Sequence, residues 1–94
     1  MFGVIIDVRI DPNREEEARA MVRDVIVAKA KAHPGFLGGH WLRALRGDIL
    51  RSVHLFDTLA NAQATASRIS SEGPPPEAPV TLHSVDAYEV IAQA

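Results

Sequence analysis

Most of the chemistry available to this chain lies in four histidines, His33, His40, His54 and His83. An imidazole titrates near neutrality unaided, and taking a proton from a phenol or an enol needs such a group. His54 and His83 are therefore the candidate catalytic residues. His33 stands before Pro34 at what reads as a helix end, where a half-exposed imidazole suits the helix dipole and needs no other role. His40, His54 and His83 fall on three different strands, and none has a carboxylate at the helical spacing of metal ligands. Singly hydrogen-bonded histidines are the plainer reading, and no metal site is expected. The alternation Leu50, Ser52, His54, Phe56 suggests that Ser52 and His54 point away from the helices, with Val53 and Leu55 as core partners. The faces occupied by His40 and His83 stay open.

The remaining candidates are substrate contacts: Trp41, Tyr88, Asp7, Arg9, Ser52 and His40. Trp41 and Tyr88 are the only residues of their types. Each could line an apolar ligand site while offering an N–H or O–H donor, or pack in a core or an interface. Asp7 and Arg9 lie two apart on one face of the first strand, which suits a dimer seam or a polar cavity wall. The seam is favoured, because a buried ion pair persists only when well satisfied. Arg43 and Arg51 are expected beside the same network. Gly38-Gly39 opens a strand rather than a helix and lacks the lysine or third glycine of a nucleotide loop, so it marks a bulge or a close backbone approach. No Gly-x-Ser-x-Gly, paired catalytic carboxylates or basic–aromatic patch is present.

The elements that position these residues follow from periodicity. Phe2, Val4, Ile6, Val8 and Ile10 form one apolar face of a strand, with Gly3, Ile5, Asp7 and Arg9 on the other. Asp11-Pro12 reads as a helix start. Ala18, Met21, Val22, Val25, Ala28, Lys29 and Ala32 then make the inner stripe of a helix of about five turns, ended by His33-Pro34-Gly35. Phe36 to Leu45 and Ile49 to Phe56 are two strands of a hairpin around Arg46-Gly47-Asp48. Asp57 or Thr58 caps a second helix over 59–69, with Leu59, Ala62, Ala66 and Ile69 inward. Ser70 to Pro79 is a proline-rich loop, and Val80 to Ile91 is the last strand. The order β-α-β-β-α-β predicts an α+β, ferredoxin-like fold: a four-stranded antiparallel sheet with both helices on one face.

Composition narrows function further. The 94 residues make a single domain, residues 1–94, and 47% are apolar and 23% charged, as in an ordinary globular protein. A net charge of −2 gives no electrostatic case for nucleic acid. The apolar runs are too short to cross a membrane. With no cysteine, disulfides, thiolate metal sites and thiol catalysis are excluded; the opening MFGVIIDVRI lacks the marks of a secretory signal, and a cytoplasmic protein is expected. So short a chain buries too little surface to be robust alone, which favours a homodimer formed through the bare sheet face.

The element order, the segments HPGFLGGHWLRA at 33–44, GDILRSVHLFDTLANAQA at 47–64 and SVDAYEVI at 84–91, the turn Pro34-Gly35-Phe36 and the pair Phe56-Asp57 resemble the dimeric α+β barrel superfamily, and within it the antibiotic biosynthesis monooxygenase-like domains. The resemblance implies a homodimer whose sheets close into a barrel, with a cavity for a small hydrophobic or aromatic ligand. The activity it implies is that of a cofactor-independent monooxygenase or isomerase acting on a small aromatic or polyketide-like substrate. The alternative is a non-catalytic small-ligand-binding or stress-associated dimeric module. The haem-degrading branch of the superfamily typically combines an Asn early in strand one, a Trp and a haem-ligating His. Strand one here has no Asn, so no cofactor is expected.

Overall fold

The computed structural model describes residues Met1–Ala94. β1 (Phe2–Ile10) has the alternation its sequence predicts: Val4, Ile6 and Ile10 are buried, and Phe2 and Val8 pack beside them. Asp11 then stops the strand and starts a helix. Its carboxylate accepts from the Asn13 N–H at 3.0 Å, and Pro12–Arg14 form one 3-10 turn. The helical run continues as α1 (Glu15–Met21), a π-helical stretch (Val22–Ile26) and α2 (Val27–Lys31).

The π stretch changes which residues face inward. Up to Val22 the expected stripe holds, with Ala18 buried and Met21 and Val22 half-buried. Beyond it, Ala30 is buried while Val25, Ala28, Lys29 and Ala32 are exposed. One residue added to a turn rotates everything after it by about 100°, so Ile26 and Ala30 are more buried than Val25 and Lys29.

β2 (Phe36–Arg43) and β3 (Ile49–Phe56) form the hairpin, with Gly47 at φ 72° in its turn. α3 (Leu59–Glu72) begins at Thr58, whose Oγ1 accepts from the Asn61 N–H at 3.1 Å. The helix runs three residues past the expected Ile69 and stops at Gly73, where φ is 61°. Ala62 and Thr65 are its buried residues, whereas Leu59, expected inward, is exposed. β4 (Val80–Glu89) and β2 each end two residues before their expected limits. The sheet order is β2-β3-β1-β4 and every pairing is antiparallel, which is the ferredoxin-like arrangement.

The two motif pieces that carry the family resemblance touch each other. Asp57 N–H donates to the Gly35 carbonyl at 3.0 Å, and Phe36 and Phe56 meet edge to face at 6.1 Å between ring centroids. Gly35 has φ 77°, and a Cβ there would collide with Asp57 Oδ1 and Asn61 Nδ2. The turn therefore locks the end of α2 to the start of α3 and requires glycine.

Register overturns one expectation. β3 pairs Leu50, Ser52, His54 and Phe56 with Val8, Ile6, Val4 and Phe2, the core face of β1. Ser52 and His54 therefore lie beneath the helices, and Val53 and Leu55 belong to the bare face. The expected phase was inverted because Val53 and Leu55 look like better core residues than a serine and a histidine. The bare face needs apolar residues too.

Candidate functional site

The two helices pack little against each other, and between them the sheet floor is left as a cavity of about 360 Å³. Ile6, Val8, Trp41, Leu50, Ser52, His54 and Leu82 supply its sheet side. Val22, Val25 and Ile26 of the π stretch and Ile69 of α3 wall it, and Gly73-Pro74-Pro75 closes one end. Lys29, His33, Arg68 and Glu72 stand among the lining residues of the helices. Most of this surface is apolar, with a few polar groups brought together, the usual composition of a small-molecule site.

Its polar centre is His54. The imidazole is 3% exposed, and Ser52 beside it on the same strand face is 5% exposed. Phe36 meets the His54 ring edge to face at 5.8 Å, and Trp41 lies tilted against it at 5.2 Å. Trp41 is placed there by pairing with Ser52, and Gly39 by pairing with His54. A Cβ on Gly39 would crowd the Val53 carbonyl and the rings of Phe36 and Trp41, so the doubled glycine serves a close approach as well as the bulge between Phe36 and Gly38. Neither His54 nitrogen, nor Trp41 Nε1, has a hydrogen-bond partner in the protein. Burial, with a smaller contribution from His33, pushes the His54 pKa down to about 4. The imidazole is thus neutral at pH 7, with one N–H donor and one acceptor nitrogen.

His33 is the cavity residue that sequence reasoning assigned to a plain helix end. Its Nδ1 lies 3.0 Å from Arg68 Nη1, so it accepts from the guanidinium. Burial and then the Arg68 charge lower its pKa. The signal that could have found it is helical spacing, because His33 follows Val22 and Lys29 at intervals that keep all three on one helix face.

The other candidates stand elsewhere. Asp7 pairs in register with Arg51 across the bare face, and the two make a bidentate ion pair with both bonds at 2.8 Å. The Arg51 hydrogen bonds hold the Asp7 carboxyl below the usual carboxylate range, against the upward push of burial, and the His83 charge adds to the lowering. Arg9 is exposed on this face. Arg43 is not part of the network: it faces the helices and bonds Glu15 at 2.9 Å. Its hydrogen bond and that of Arg19 hold Glu15 at about 2. His40 is exposed opposite Val53, and Tyr88, 49% exposed, pairs with Gly3. His83 falls at the irregularity between the Asp7 and Val8 pairings of β4, exposed and outside the cavity. Of the proposed set, the structure brings together His54, Trp41 and Ser52. His83, Tyr88, His40, Asp7 and Arg9 lie apart from them. No three histidine, aspartate or glutamate side chains gather as a metal site, and no helix is long and apolar enough to cross a membrane.

No family model and no curated protein matches the sequence. Solved structures do. The haem degrader MhuD of Mycobacterium tuberculosis, with two haems in its active site, aligns over 100% of this chain and 99% of its own at TM-score 0.76 and 20% identity. A monooxygenase of Streptomyces coelicolor in complex with nanaomycin D covers 99% of this chain and 89% of its own, at TM-score 0.61 and 12% identity. A protein of Chloroflexus aurantiacus provisionally assigned to the antibiotic biosynthesis monooxygenases covers 99% and 96%, at TM-score 0.63 and 17% identity. Of the two cavity histidines, His54 has both nitrogens below the surface between Phe36 and Trp41, whereas half-buried His33 bonds Arg68 through Nδ1 and keeps Nε2 unbonded. The fold, four antiparallel strands with the helices on one sheet face and the other face bare, is the one this chain shares with these structures.

Proposed function

We propose that the protein is a cofactor-independent monooxygenase that acts on a small aromatic or polyketide-like substrate and works as a cytoplasmic homodimer. The observation that carries this reading is His54, enclosed in an apolar wall with neither nitrogen bonded to the protein. Leaving a buried polar group so costs about 1–3 kcal/mol, with no structural return. A substrate hydroxyl would satisfy it.

A hydroxyanthrone illustrates the chemistry. Bound as its enol tautomer, it would lay its rings against Trp41 with the enol hydroxyl towards His54, whose χ2 torsion is soft enough to turn a nitrogen to meet it. The neutral imidazole takes the proton. The anion left beside it supplies the counter-charge that the protein does not, which lifts the imidazole above its unliganded value. The carbanionic form of the substrate adds dioxygen, and the peroxide regains the proton from the imidazolium. Loss of water then leaves a ketone, with one oxygen atom in the product and one in water. The apolar cavity keeps solvent from the anion, and Trp41 Nε1 offers a donor to a substrate oxygen.

One observation favours the second reading, a non-catalytic small-ligand-binding or stress-associated dimeric module: no carboxylate orients His54 as a base is usually oriented. Oxygen uptake with a dihydroxyanthrone separates the two. The enzyme reading expects uptake matched by ketone formation, lost in His54→Leu. Binding of the anthrone without uptake supports the module.

A further inference from the structure

The cavity mouth carries an excess of positive charge in a chain whose net charge is −2. Lys29, Arg68 and Glu72 are the charged residues among its lining, and none makes a salt bridge. Arg68 has Glu72 four residues on along α3, a spacing that favours an ion pair on a helix surface. Its guanidinium instead reaches His33 at the end of the first helix, Nη1 to Nδ1 at 3.0 Å. Because His33 is the acceptor in that bond, it adds no charge, and burial keeps it towards the neutral form. The mouth therefore presents two cations against one carboxylate. Arg68 crosses the slot between the helices with its other N–H groups making no bond to the protein.

We infer that the cavity selects an anionic aromatic ligand, a ring system that carries a carboxylate, with Arg68 held by His33 and assisted by Lys29 reading the carboxylate at the mouth. This rests on the proposed aromatic substrate and names its class. The ring system lies on the apolar floor by Trp41, Leu50 and Val8, and the charged end stays at the rim, where it need not be desolvated. A guanidinium positioned by one nitrogen keeps a planar edge free for two parallel bonds to a carboxylate, which an ammonium cannot offer. His33 is the positioning residue, since it acts through Arg68.

The test compares naphthol with hydroxynaphthoate by calorimetry at low salt, on the full-length protein. The expected result is that hydroxynaphthoate binds about tenfold more tightly, as charge-assisted pairing allows. That preference should fall to less than threefold in Arg68→Gln, and half-molar salt should weaken the carboxylate without affecting naphthol. Arg68 is exposed, so the variant should fold, and the salt series on the wild type gives a readout that needs no variant. Naphthol binding with no preference for the carboxylate overturns the inference and leaves the aromatic cavity standing. So does a preference that survives both Arg68→Gln and salt. Failure of both ligands to bind overturns both readings.

Discussion

A histidine that is 3% exposed with no partner on either nitrogen is a liability to folding. His54→Leu should therefore leave stability at pH 7 unchanged or raise it by about 1–3 kcal/mol in urea unfolding, since the unsatisfied group is removed while the volume is roughly kept. The same variant should flatten the pH dependence of stability. The His54 pKa is lowered on folding to about 4, so between its ordinary 6.5 and 4 the unfolded chain binds a proton that the folded chain does not. Wild-type stability should fall as the pH drops through that window, and His54→Leu should lose that component. Gly35 makes the opposite case. Gly35→Ala should cost about 2 kcal/mol or more, because its left-handed backbone is strained for alanine and the new methyl meets Asp57 and Asn61. Glycine at this turn was legible in the sequence. The face of His54 was not, because alternation fixes which residues share a face but leaves open which face is the core when both carry apolar side chains.

Among the elements, the first helix shows how a correct assignment can still misplace its residues. Its start at Asp11-Pro12, its length and its end were all readable, but the π stretch at Val22–Ile26 was not. No proline or glycine marks it, and a run of Val22, Val25, Ile26 and Val27 fits either phase. Substitution distinguishes the phases. Ala28→Leu should change thermal stability little, because Ala28 is exposed, whereas Ala30→Leu should cost about 1–3 kcal/mol by overpacking against the sheet. A straight helix with Ala28 inward predicts the reverse. The helix reaches function as well: Val22, Val25, Ile26 and Ala30 line the cavity, and His33 beyond its end meets Arg68. α3 is alanine-rich where it touches the sheet, with Ala62 fully buried, so that helix sits close and the space opens between the helices rather than beneath α3.

At the scale of the molecule, only 15 of 94 residues are buried, a small core for a chain of this length. The bare sheet face carries Ile5, Val53, Leu55, Leu42 and Tyr88 around the Asp7–Arg51 pair, and Leu42 and Tyr88 are each 49% exposed. A second copy would cover it. Val53→Asp, at the centre of that face, should turn a dimer into a monomer in sedimentation at micromolar concentration and lower its melting temperature; a wild-type protein that is already monomeric removes the homodimer. The four-strand order and the bare face came from element order, and the dimer expectation from the short chain together with that face, whereas the cavity depends on how far apart the helices stand, a distance that no local pattern encodes. The account as a whole turns on His54 as the group that meets the ligand. Its titration followed by nitrogen-15 NMR, with and without a dihydroxyanthrone under nitrogen, tests this most directly. The account predicts a midpoint near 4 in the free protein that rises on adding the anthrone. A midpoint near 6.5 that the ligand does not move would contradict it.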